Sequence, residues 1–188
     1  MKMKVLVEVS AKHIHISQAD YQFLFGCEEK FHEFKQLSQS DFTTDKIVEA
    51  IGPKGSIKLR LLSPFREKTQ VEISLTDCVA IGIDAPYEID VTLNAAEIKL
   101  KGPCGEILRK AAIVSKRHLH CNPTEANKYQ LIKGQQVKII IDNDRGIVEF
   151  KNVTIKISDR YKLAIHLDTD EGNAAGIKGE VFGELYFN

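Results

Sequence analysis

No apolar stretch of this 188-residue chain approaches the roughly 20 residues that a membrane-spanning helix needs, so no membrane association is expected. A charge excess is missing as well. Lys+Arg and Asp+Glu stand at 26 each, which leaves no basic surplus to neutralise the phosphates of a nucleic acid, although a local anion site remains compatible with it. The four cysteines, Cys27, Cys78, Cys104 and Cys121, are scattered without a C-x-x-C spacing. That argues against a disulfide scaffold and for reduced thiols in a cytoplasm. At the start, "MKMKVLVEVS" is broken by Glu8 and has neither a long h-region nor a small-residue cleavage site. No export signal is visible, and a cytoplasmic protein is expected. Low-complexity runs and blocks of like charge are lacking too. With 43% hydrophobic and 28% charged residues, the composition is that of an ordered globular protein.

What the chain does have is an internal repeat. Aligning Ser10 with Ser115 places His13 on His118 and His15 on His120, with "SQAD" (17–20) against "NPTE" (122–125) after each pair. Ser17 and Asn122 are each suited to cap a short helix, with Asp20 or Glu125 in its first turn. A second echo relates "TQVEISLTDCVAIGI" (69–83) to "LAIHLDTDEGNAAGI" (163–177), and after one gap it sets Glu72 opposite His166. Two homologous halves are expected, 1–95 and 96–188, each a small β-barrel domain.

Short alternating runs fill the rest: "KIVEAIG", "SIKLRLLS", "EIDVTL", "AEIKLKG", "QVKIIID", "GIVEFKNVTIKIS" and "GEVFGELYF". Such runs, punctuated by Gly, Pro, Asn and Asp, predict strands joined by tight turns, with hairpins at "GPKGS" (52–56) and "DNDRG" (142–146). Helices are predicted at 18–26, at 123–131 and within 28–40. The fold class is mainly β: two pseudo-symmetry-related small β-barrels with a few short capping helices.

Alternate strand residues share a face, so His13 and His15 point together, as do His118 and His120. Five of the six histidines fall in the repeated landmarks, and only His32 lies outside them. Paired imidazoles satisfied by hydrogen bonds would be the plain explanation of one such motif; its repetition favours metal binding. Glu72 would complete His13/His15, and His166 would complete His118/His120. Three N/O ligands with one position left for water or substrate is the catalytic zinc arrangement, and iron, manganese or cobalt suit the same donors. Cys121 turns to the opposite strand face and reads as a small buried hydrophobe. Asp168, Asp170 and Glu171 are either carboxylates that orient histidines or the acidic start of a helix. Arg66, close to Glu72 in sequence, is a candidate phosphate-binding fork. Lys12 and Arg117 should face away from the ligands.

Four stretches, "VSAKHIHIS", "GPKGSIKLRLLSPFREKTQVEIS", "GPCGEILRKAAIVSKRHLHCNP" and "HLDTDEGNAAG", resemble in the same order the phosphotransacylases of the PduL type, the phosphate propanoyltransferases. The resemblance implies two β-barrel domains with a dinuclear zinc site. It also implies the reversible reaction of acyl-CoA (propanoyl-CoA or acetyl-CoA) and phosphate to acyl phosphate and CoA. Carried over residue by residue, one Zn2+ falls to His13, His15 and Glu72, the other to His118, His120 and His166, and phosphate contact to Arg66. Lys12 stands where relatives commonly carry arginine, and Ala164 where they are often acidic. The amphipathic N-terminal extension of microcompartment-associated members is not seen, which suggests a free cytoplasmic enzyme. Partners are then CoA and phosphate species, and the edges of small barrels leave a homodimer open. The alternative is a dinuclear metallohydrolase acting on acyl-CoA or esters, whose turnover would not need phosphate. A non-enzymatic reading, with metals only stapling the barrels, predicts closed metal sites.

Overall fold

A computed structural model of the chain describes residues 1–28 and 30–187. Among these the order is β1 (Lys2–Ser10), β2 (His13–Ser17), α1 (Gln18–Phe25), β3 (Glu33–Gln36), β4 (Phe42–Gly52), β5 (Gly55–Arg66), β6 (Gln70–Ile73), α2 (Leu75–Ile81) and β7 (Tyr87–Glu88). Then follow β8 (Ala96–Lys101), β9 (Glu106–Ser115), β10 (His118–Cys121), α3 (Pro123–Tyr129), β11 (Gln136–Asn143), β12 (Gly146–Ile157), β13 (Ala164–Asp168), α4 (Thr169–Ala174) and β14 (Val181–Tyr186). No helix among the described residues is long and apolar enough to cross a membrane.

The chain forms two compact units. One contains Met1–Ser10, Ser38–Ser40 and the chain from Lys116 on. Its six strands close into a barrel in the order β1-β13-β10-β12-β11-β14. Alternation builds the core: Val5 and Val7 of β1 point inward with Val137, Ile139 and Ile141 of β11 and Leu119 of β10. The other unit contains Ala11–Leu37 and Asp41–Ser115. There β4-β5-β2-β6-β9-β8 runs back to β4 as a second closed ring, with β3 added on β4 and β7 on β9. Ile14, Ile16, Leu59, Leu61, Ile98 and Leu100 are among its core residues.

The rings share one pattern. The pairs β1/β13 and β10/β12 are parallel in the first ring, as β9/β6 and β2/β5 are in the second, and the remaining pairs of both rings are antiparallel. Thus β1 and β9 are equivalent, as are β2 and β10, and β6 and β13.

This corrects the expected 1–95 and 96–188 domains. The first strand closes the ring built from the end of the chain, and β8 and β9 close the ring built from 13–73. The repeat boundary falls in the turn between β8 and β9, and each repeat gives its first strand to the other ring. The reason is burial: the inward residues of β1, Val5 and Val7, complete the core of Leu119, Ile139 and Ile165, whereas Ala111, Ala112 and Val114 of β9 complete that of Ile14 and Leu61.

Both hairpins form as predicted, at 52–55 and 143–146, and α1 and α3 start on the expected caps. Asp20 N–H donates to Ser17 Oγ at 3.2 Å, and Glu125 N–H to Asn122 Oδ1 at 2.9 Å. Two expectations fail. The 28–40 segment is no helix where it is described (Glu29 lies outside the described residues): Phe31 packs on Tyr21 and Phe65, and β3 pairs with β4. "EIDVTL" is strand only at its first residue, because the Val91 N–H donates to Gln70 Oε1 and the Ala95 N–H to Thr92 O, leaving no ladder to extend. In addition, α2 was not predicted; its signal is the capping box of Ser74 and Asp77, followed by the left-handed Gly82.

Asp20 also ties α1 to the start of β6 and to β9. Thr69 Oγ1 donates to it at 2.6 Å and Arg109 Nη2 at 2.7 Å. Burial alone would raise this carboxyl, but Arg109 and the Thr69 and Ser17 groups outweigh burial and hold it below the ordinary carboxylate value. Asp20→Asn is therefore expected to cost about 1–2 kcal/mol at pH 7. Because the folded pKa is depressed, that stability is present above the unfolded value and lost as pH falls through the folded one. Denaturant titrations of both proteins should show the gap closing in strong acid; a gap independent of pH would refute the assignment.

Candidate metal and anion site

Ile14 and Ile16 enter the core of one ring and Leu119 and Cys121 that of the other, so the histidines of β2 and β10 occupy the opposite faces. They are nevertheless buried, His13 and His118 at 6% exposure and His15 and His120 at 5%. Antiparallel pairing supplies the third member of each group in the same register: His13 opposite Glu72, His118 opposite His166. Within each group one potential ligand atom per residue lies within 4.8 Å of the others.

In the first group Glu72 Oε1 is 3.6 Å from His13 Nε2 and 3.8 Å from His15 Nε2. Burial would push the His13 imidazolium down, but the Glu72 carboxylate outweighs it and holds the pKa above the ordinary histidine value. The second group is three imidazoles, with the His118 and His166 rings parallel at 5.2 Å and His120 at 4.5 and 4.4 Å from them. One imidazole in each group is oriented alike: His13 Nδ1 is 2.8 Å from Ala11 O, and His118 Nδ1 is 2.7 Å from Lys116 O. An Nδ1–H donated to a carbonyl leaves Nε2 as the ligand atom. Imidazole and carboxylate donors without thiolate suit zinc, and equally iron, manganese or cobalt.

The supports around the groups also repeat. Lys12 and Arg117 do point away from the histidines, to Asp77 at 2.7 Å and Glu171 at 2.6 Å. Those acids are the third residues of α2 and α4, and each closes a capping box, with Ser74 and Asp168 respectively. Asp168 and Glu171 thus serve the helix start. Cys121 lies in the core, where burial and then the Glu125 charge push its thiol up to about 11, in keeping with a small buried hydrophobe.

Arg66, at the end of β5, donates from Nη2 to Asp41 Oδ2 at 2.7 Å, and Asp41 is fully buried. The same Asp41 oxygen is 4.0 Å from His15 Nδ1, so one carboxylate joins the guanidinium to the first group. The Nε–H of Arg66 is buried with no hydrogen-bond partner among the described residues. Sequence reasoning missed Asp41, which no local pattern marks. It also missed Gln70, whose amide donates to Glu72 Oε1 at 2.7 Å while accepting from the Val91 N–H; its place two residues before Glu72 on one strand face was the available signal. Tyr161, stacked on His120 at 3.7 Å, had none.

The model of the phosphate propanoyltransferase family matches residues 6–178. A phosphate propanoyltransferase of Alkaliphilus metalliredigens is 40% identical over 187 residues, covering 97% of this chain and 88% of that protein. Those of Shewanella putrefaciens and Salmonella typhimurium are 40% identical over 177 residues (91% and 82% covered) and 39% identical over 172 residues (89% and 81% covered).

Proposed function

This chain belongs to the phosphate propanoyltransferase family, and from that premise we propose that it interconverts acyl-CoA and phosphate with acyl phosphate and CoA. In this reading it uses two zinc ions, one held by His13, His15 and Glu72 and the other by His118, His120 and His166. The family makes it an acyltransferase; the acyl group, the metal and the residue roles are this reading's own. The observation that carries the reading is Arg66: a guanidinium steadied by a buried carboxylate, with an unspent buried Nε–H, joined to a two-imidazole, one-carboxylate group. An oxyanion is the ligand such a donor lacks.

The reaction requires a phosphate oxygen to attack the thioester carbonyl carbon, the C–S bond to break, and CoA to leave as thiolate that takes a proton. Zinc supplies Lewis acidity for charge on the carbonyl oxygen or sulfur. Arg66 binds and orients phosphate. Asp41 holds the guanidinium in place, and Gln70 aims the Glu72 carboxylate at its two imidazoles. Propanoyl and acetyl groups differ by one methylene, worth about 1–3 kcal/mol in an apolar pocket, so the two thioesters are expected to differ by roughly 5- to 150-fold in kcat/KM.

Zinc-loaded protein is expected to release CoA thiol from propanoyl-CoA and acetyl-CoA only when phosphate is added. Equal release without phosphate would replace the transferase with the hydrolase alternative, which the family match does not favour. No release with either thioester would leave another acyl group, another metal or the stapling role.

A further inference from the structure

The strand ladders set equivalent positions opposite the second histidine of each pair, Gln70 opposite His15 and Ala164 opposite His120. They differ in what they offer. Gln70 steadies Glu72, whereas the side chain of Ala164 has no polar group to lend. Both positions open a strand, β6 and β13, and the residues before them align without a gap: "REKT" (66–69) and "RYKL" (160–163) share their arginine and lysine. The place of Glu67 in the first loop is taken in the second by Tyr161, and the ring of Tyr161 lies against His120.

The contact is closer and flatter than ordinary aromatic packing. The two ring centroids are 3.7 Å apart and the planes are inclined by 16°, whereas paired aromatic rings usually stand about 4.5–7 Å apart, offset or edge-on, because their negative faces repel. Face-to-face contact becomes favourable when one ring is electron-poor, as an imidazole is once its nitrogen binds a dication, and the other is an electron-rich phenol. The loop that carries the tyrosine is tied down. Ser158 N–H donates at 3.2 Å to the carbonyl of Cys121, the residue after His120, Tyr161 N–H donates to Ser158 O at 3.0 Å, and Ser40 Oγ donates to Arg160 O at 2.8 Å. Core packing does not account for the ring: among the described residues Leu163 of this loop packs on the core of its unit, and Tyr161 is not part of that core.

We infer that Tyr161 is a positioning residue of the His118/His120/His166 group: stacked on His120, it fixes the orientation of that imidazole and favours its metal-bound form, as Gln70 holds Glu72 in the other group. The inference rests on the two-metal reading above.

The test is metal retention and cobalt spectroscopy on the full chain, with Tyr161→Phe, which keeps a ring, and Tyr161→Leu, which does not. Wild type should hold two ions per chain against a chelator, and Tyr161→Phe should match it. Tyr161→Leu should hold one ion as firmly and release the other about 5- to 30-fold more readily, with a changed visible absorption in the cobalt-loaded protein. In denaturant titrations Tyr161→Leu should lose more stability with metal bound than without it, whereas a residue that only packs loses the same in both. Wild-type retention and an unchanged cobalt spectrum in Tyr161→Leu, or an equal loss of stability in both forms, would overturn the inference and leave the two-metal reading standing. So would a Tyr161→Phe that releases the ion as Tyr161→Leu does. A wild type that holds fewer than two ions would overturn both.

Discussion

Alanine in place of His166 is expected to cost the protein one of two bound zinc ions and at least about a hundredfold in phosphate-dependent turnover. Removing a partner that merely orients a metal ligand typically costs 10–100-fold, and His166 is itself the proposed ligand, so that range is the floor. The ring is buried between His118 and His120, 5.2 and 4.4 Å away, and its loss leaves two imidazoles, too few for a tight site. Metal analysis after chelator treatment should read one ion per chain, with the His13/His15/Glu72 ion retained. A variant with two ions and full activity would remove His166 from the ligand set.

Arg66→Ala is expected to act twice, on phosphate and on stability. Loss of a charge-assisted contact to the attacking anion is worth about 2–5 kcal/mol, so turnover at limiting phosphate should fall roughly 30-fold to several thousand-fold, most of it in the phosphate KM. The same change strands Asp41, which is fully buried and bonded to Arg66 at 2.7 Å. An uncompensated buried carboxylate costs on the order of 3 kcal/mol, less here because a third of the Arg66 side chain is exposed. The double variant Arg66→Ala/Asp41→Asn separates the effects: it should recover stability in denaturant titration and none of the phosphate affinity. Unchanged phosphate dependence in the single variant would refute the anion role.

The legibility of the candidate site follows from how local each of its parts is. Alternation along a strand is a property of three consecutive residues, so His13 with His15 and His118 with His120 could be paired from the sequence. The correspondence of Glu72 with His166 rode on a second repeated landmark, and the ladders set both opposite the first histidine of their pair. Helix caps are equally short-range, which is why α1 and α3 were found; α2 was lost to an apolar run whose only counter-signal was a four-residue box.

The β class, the repeat and the two histidine groups were thus already present in short-range patterns that no distant contact needs to complete. The exchange of β1 and β9 between rings, the Asp41 bridge from Arg66 to His15, and the pairing of Glu8 with His166 came from the folded chain alone. Each depends on which strand edge remains open and which apolar face still lacks cover once the rest has closed. Partners such as Ser38 and His166 stand 128 residues apart, and the free energy that joins them is spread over the core of their unit rather than written in either segment.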